Sequence, residues 1–138
     1  MLLVAASLHE LSFPKLMEVY AQSNRENGED RYPGETPQRQ QALAEEDFRD
    51  YLSQVFFAAE NARYFILEEA GRYISALRLE PYEDGLLLEA LETAPAFRGK
   101  GYAAALMERT QNYLKGQGSV RLYSHVSRSN TASLRTHE

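Results

Sequence analysis

The stretch FRGKGYAAALMERT, residues 97 to 110, decides how the rest of the chain is read. Arg98, Gly99, Lys100 and Gly101 are consecutive, and an alanine-rich amphipathic pattern begins directly behind them. A turn that enters a helix presents unpaired backbone N–H groups at the positive end of the helix dipole. Such a turn cradles anions. Glycines at 99 and 101 let the backbone approach a phosphate with no Cβ in the way, and Arg98 and Lys100 add positive charge around it. The turn therefore reads as a site for a diphosphate.

Two common phosphate motifs do not match the spacing. A P-loop requires G-x-x-x-x-G-K-[ST], whereas Lys100 is followed by Gly101 and has no glycine at the right distance before it. A dinucleotide fingerprint requires G-x-G-x-x-G, but Ala104 takes the third place and no parallel β-α-β pattern leads into it.

Working outward, Tyr102, Leu106, Tyr113 and Leu114 fall broadly on one side of a helix that stops near Gly116 and Gly118. The run SVRLYSHVS alternates Val120, Leu122, Ser124 and Val126 against Arg121, Tyr123 and His125, as a strand does. SNTASLRTHE then opens a last helix, with Ser129 or Asn130 as its cap. Upstream, RYFILEE, RYISALRLE and LLLEALET have strand character, and the short breaks AG and YEDG suit antiparallel hairpins. Near the start, residues 2 to 6 suit a short strand, and Ser12 and Pro14 open a helix running through Leu16, Val19 and Tyr20. SNRENGEDRYPGETP is polar and carries glycine and proline, so it reads as a long loop. Thr36 and Pro37 open a second helix that reaches about residue 57. The predicted order is β-α-α-β-β-β-α-β-α, a mixed α/β fold in a single domain spanning 1–138.

Composition limits the function. A formal net charge of −5 argues against general nucleic-acid binding, which needs clustered Lys and Arg, so any anion site is local. The chain has no cysteine, which excludes disulfides, thiolate metal sites and Cys nucleophiles. His9 and His125 stand alone, without H-x-x-x-H or a carboxylate grouping, so no metal site is expected. MLLVAASLHE lacks a basic leader and no run approaches the length of a membrane span, so the cytoplasm is the expected location.

The loop R-x-x-G-x-A, here Arg98-Gly99-Lys100-Gly101-Tyr102-Ala103, resembles the acyl-CoA diphosphate loop of the GNAT superfamily of N-acetyltransferases. The ordered set around it resembles that family too: LLLEALETAP, the loop, AAALMERTQNYLKGQG, SVRLYSHV and SNTASL. The resemblance is closest over residues 60 to 138, and the two leading helices agree in order though not in motif.

The resemblance implies that Leu91, Glu92 and Thr93 pair with the pantetheine arm of acetyl-CoA while residues 98 to 103 hold its diphosphate. It also implies that the Leu91 N–H faces the thioester carbonyl, where negative charge develops during attack. Asn130 occupies the place of the family's pantetheine-binding Asn, with Ser133 one turn on; a plain helix cap is the other reading of Asn130. The implied reaction is acetyl transfer from acetyl-CoA to an amine by direct attack. An amine with a pKa of ~10 is mostly protonated at neutral pH, so a base must remove a proton. Glu89 is the candidate base, since on a regular strand it shares the face of Leu91; Glu80 and Glu92 stand in reserve. His137 takes the place of the family's acidic Tyr, with Tyr123 as a weaker substitute and a surface histidine as the plain alternative.

The chain ends at Glu138, before the one or two further strands that such domains normally carry. An open sheet edge would invite a homodimer. The resemblance therefore leaves two functions: an N-acetyltransferase acting on a small-molecule or peptide amine, and a non-catalytic acyl-CoA-binding or regulatory module of the same fold. The residues around Arg25 to Gly34 are expected to help shape the acceptor pocket.

Overall fold

A computed structural model describes residues 1–118 and 121–124 of the chain. Its centre is a sheet whose described strands are β1 (Leu2–Ala5), β2 (Arg63–Glu69), β3 (Arg72–Tyr82), β4 (Gly85–Thr93) and β5 (Leu122–Ser124), in that spatial order. The pairs from β1 to β4 are antiparallel, and β5 lies parallel to β4. A parallel pair needs a crossover, supplied here by helix α4 (Tyr102–Gly116). Both hairpins fall where the sequence predicts them, with left-handed residues in their turns: Ala70 (φ 51°) and Gly71 (φ 77°) in one, Glu83 (φ 51°) in the other.

Side chains alternate along β2, so Tyr64 and Ile66 face one way and Phe65 and Leu67 the other. On the first face Leu16, Val19, Tyr20, Leu52 and Phe56 close over the sheet. On the second, Leu77, Leu79 and Leu88 meet Leu106, Met107 and Leu114 of α4. The sheet is thus covered on both sides.

The first face is roofed by three helices rather than two. Helix α1 (Phe13–Val19) is capped by Ser12, whose hydroxyl accepts from the Lys15 N–H at 3.4 Å, and it breaks at Tyr20. Helix α2 (Ala21–Arg31) follows at once, and α3 (Pro37–Tyr51) starts at the predicted Thr36–Pro37 cap and ends in a π-helical turn over Leu52–Phe56. The expected long loop is therefore helical through Arg31, leaving residues 32 to 36 as the connection. Tertiary contacts explain the difference. Asn24 is buried, Gln40 Nε2 donates to the Tyr32 carbonyl at 3.0 Å, and the Tyr32 hydroxyl donates to Asp47 at 2.7 Å. Gly28 lies where α2 and α3 touch, and a Cβ there would stand 2.4 Å from the Gln40 carbonyl oxygen. It is a close-approach residue rather than a breaker.

Strand β4 carries the second departure from regularity. Arg78 pairs with Glu89 and Ala76 with Glu92, so two residues of β4, Ala90 and Leu91, oppose Leu77 alone. This is a β-bulge, and Ala90 has φ 56°.

Candidate active site

Behind β4 the chain makes a 3-10 turn over Pro95–Phe97 and then enters α4. Gly99 (φ 77°) and Gly101 (φ 81°) are both left-handed, and Gly101 is the N-cap, without a side-chain bond to the helix. The Ala105 N–H donates to the Gly101 carbonyl at 3.1 Å. The amides of Tyr102, Ala103 and Ala104 therefore precede the first intrahelical donor and have no helix carbonyl to bond. A Cβ at either glycine would meet nothing within 4 Å, so the concave side of the turn is open. Open, positively polarised amides on a left-handed turn suit a diphosphate.

The two cations of the turn behave differently. Arg98 folds back, with Nε donating to the Thr93 carbonyl at 3.2 Å and a second guanidinium nitrogen donating to Gln22 Oε1. It braces the turn against β4 and α2 instead of lying over the amides. Lys100 Nζ sits 5.9 Å from the centre of the Phe97 ring, and half-buried Tyr102 packs edge-on against the same ring.

The bulge changes the expected geometry on β4. Leu91 packs with the aliphatic cluster under α4, whereas Glu89 pairs with Arg78 and Ala90 packs with the cluster under α1 to α3. Glu89 and Leu91 therefore lie on opposite faces, contrary to the expectation for a regular strand, because the extra residue inverts the alternation between them. Glu89 Oε1 is 3.5 Å from Arg78 Nε, and both atoms are buried without a hydrogen-bond partner among the described residues. The Arg78 guanidinium lies over Tyr51, Phe56 and Phe48, at 5.0, 5.6 and 5.7 Å from their ring centres. Burial, followed by the charge of Glu89, pushes the Glu80 carboxyl above the usual carboxylate range. Burial likewise raises Glu92, opposed by the Ser23 hydroxyl that donates to it at 3.2 Å. The Thr93 hydroxyl is 3.2 Å from that of Ser75, which donates to the Glu92 carbonyl at 2.8 Å.

Sequence reasoning missed three buried groups on this face. The Tyr20 hydroxyl donates to the Ala90 carbonyl at 2.6 Å and accepts from the Tyr64 hydroxyl at 2.8 Å. Arg78 is the third. A charge set among the apolar residues of ISALRLE was the available signal for it.

Arg78 also borders a cleft of about 300 Å³ between α2 and α3, lined in addition by Asn24, Asp47, Phe48 and Tyr51. Asp47 is held by Arg31 at 3.2 Å and by Tyr32. This cleft opens on the Glu89 side of the sheet, and Asn27 and Arg31 of the Arg25–Gly34 segment line it beside Asn24. Tyr123 lies elsewhere: it pairs with Leu87 and its hydroxyl donates to Asp84 in the hairpin turn, at the other end of β4 from the bulge. Asn130, Ser133 and His137 fall outside the described residues. No described helix is long and apolar enough to cross a membrane.

A bulged strand running into a glycine turn and a helix N-terminus, over a mixed sheet, is the architecture of an acyl-CoA-dependent acyltransferase fold. The family model of the GNAT acetyltransferases matches residues 16–138, and the chain belongs to that family. Among curated proteins no sequence matches the chain. Solved structures of similar fold include the PaiA N-acetyltransferase of Thermoplasma acidophilum in complex with coenzyme A (15% identity, TM-score 0.62, covering 98% of this chain and 85% of that one). The ribosomal-protein-S18-alanine N-acetyltransferase of Escherichia coli is similar at 19% identity and TM-score 0.62, covering 99% and 74%. The aminoglycoside N-acetyltransferase AAC(6')-Iy, in complex with CoA, is similar at 20% identity and TM-score 0.53, covering 99% and 83%. At these identities the likeness is one of fold.

Proposed function

We propose that the protein transfers the acetyl group of acetyl-CoA to a primary amine of a small molecule or peptide by direct attack. The observation that carries the proposal is the open, left-handed Gly99–Gly101 turn at the start of α4, directly behind the bulge of β4. In this reading the amides from Gly99 to Ala104 hold the diphosphate, and Leu91, Glu92 and Thr93 line the pantetheine arm. Asn130 and Ser133 complete the cofactor contacts. The Leu91 N–H donates to the thioester carbonyl as it gains negative charge.

The acceptor enters from the cleft beside Arg78. Its nitrogen attacks the acetyl carbon, the C–S bond breaks, and an amide forms. The proton lost from nitrogen passes to Glu89 directly or through water, because Glu89 lies on the cleft side of β4. The departing thiolate takes a proton, for which His137 is the candidate donor. Glu80 and Glu92, both raised by burial, are the alternative bases.

Titration calorimetry with CoA and thiol release from acetyl-CoA over polyamines, amino acids, aminoglycosides and peptide N-termini test this. Wild-type protein is expected to bind CoA and release thiol with at least one amine class. Gly101→Glu, which places a carboxylate in the phosphate cradle and a side chain at a left-handed φ, is expected to weaken CoA at least about 100-fold, or about 2.7 kcal/mol. Unchanged affinity in that variant refutes the cradle. CoA binding without thiol release from any amine would leave a CoA-binding module in place of an enzyme.

A further inference from the structure

We infer that Tyr20 is a positioning residue for acetyl transfer: its hydroxyl grips the bulge of β4 and so aims the Leu91 amide, a role that rests on the transferase reading above. Ala90 and Leu91 share one peptide group. That group is planar and trans, so its C=O and N–H point in opposite directions and move as one body. The Tyr20 hydroxyl, on the face under α1 to α3, donates to the Ala90 carbonyl at 2.6 Å. Fixing that carbonyl fixes the Leu91 N–H on the other side of the same plane. A donor on the carbonyl also polarises the amide and strengthens its N–H as a donor.

The bulge needs such a hold. Ala90 sits at φ 56°, a conformation that costs a non-glycine residue energy and persists where its surroundings impose it. Tyr20 stands at the break between α1 and α2, with φ −98° and ψ 17°, and is buried among Phe48 and Tyr64. Its oxygen accepts from the Tyr64 hydroxyl at 2.8 Å, so its own proton is directed at Ala90. Burial keeps both phenols well above their ordinary titration range, and both remain neutral donors. Tyr64 neighbours Arg78, and Arg78 meets Glu89 at 3.5 Å. The chain of contacts starts on the side chain of Glu89 and returns to the backbone of the next residue, tying the candidate base and the candidate oxyanion donor into one frame. Ser23 and Gln22 add two clasps from the same turn of α2, to Glu92 and to Arg98.

Tyr20→Phe removes one hydroxyl and keeps the ring. It is expected to lower kcat about 10-fold while the KM for acetyl-CoA moves less than about two-fold, the signature of an interaction made in the transition state. Tyr64→Phe removes the donor to the Tyr20 oxygen but keeps the hydroxyl that reaches Ala90, and is expected to lower kcat less than Tyr20→Phe does, by no more than about three-fold. Equal kcat losses in the two variants, or a Tyr20→Phe kcat within two-fold of wild type, overturn the inference and leave Tyr20 as core packing. A second measurement needs no variant: the buried, hydrogen-bonded hydroxyl proton of Tyr20 in the wild-type protein should shift in NMR spectra when acetyl-CoA, but not CoA, is added. A resonance unmoved by acetyl-CoA also overturns it. If acetyl-CoA binds and no amine is acetylated, the transferase reading falls by itself, and the hydroxyl shift still decides whether Tyr20 reports on the thioester.

Discussion

The two faces of the sheet are built from different chemistry. Under α4 the buried side chains are almost all aliphatic, from Leu67, Leu77, Leu79 and Leu88 on the strands to Leu106, Met107 and Leu114 on the helix. Under α1 to α3 the interior holds Tyr20 hydrogen-bonded to Tyr64, Arg78 paired with Glu89, and Asn24, whose amide donates to the Met17 sulfur. Apolar burial is non-directional and gives stability, whereas buried polar groups must be satisfied in particular geometries. Under the proposed function the difference teaches a division of labour: the α4 face fixes where the glycine turn stands, and the opposite face sets the angles of the groups proposed to react.

Substitutions on the two faces should therefore separate stability from turnover. The largest effect is expected for Leu106→Ala, which empties a fully buried position and should cost about 3 kcal/mol in denaturant unfolding. At a temperature where the variant is folded, its kcat should stay within about two-fold of wild type; a tenfold loss would break the division. Glu89→Gln should do the reverse, lowering kcat about 10-fold with CoA affinity unchanged by calorimetry. Retained activity would remove Glu89 as the base and point to Glu80 or Glu92.

The smallest effect sharpens the contrast by its sign. Burial holds the Glu92 carboxyl above the usual range, against the pull of Ser23, so the folded state favours its protonated form. That contribution is complete below the unfolded value of about 4 and is lost as pH rises through the raised folded value. Glu92→Gln should therefore raise Tm by about 2 °C at pH 8, with the difference vanishing near pH 4. A lower Tm at pH 8 would show that the carboxylate is stabilising after all.

What the sequence made legible follows from how local each signal is. Both hairpins, the caps at Ser12 and Thr36 and the turn at Gly99 are set by a few neighbouring residues, and the structure has each where it was expected. Helix α2 was hidden because AQSNRENGEDR has no apolar period and carries Gly28; contacts with α3, absent from the local sequence, hold it. The bulge was hidden for a similar reason. LLLEALET reads as one unbroken strand, and the Tyr20 hydroxyl that donates to the Ala90 carbonyl at the bulge comes from far away in the chain. The proposed cofactor turn is made of backbone and could be read from glycines. The cleft beside Arg78, proposed for the acceptor, is made of side chains brought together by folding, and could not.

The meeting of α2 and α3 at Gly28 has a consequence for how the spacing of these helices can change. Glycine is already the smallest residue, so any replacement at position 28 pushes the two rods apart and never draws them closer. The spacing of the two helices is thus already at its narrow limit, and drift at that codon can only loosen the packing beside the cleft that they flank.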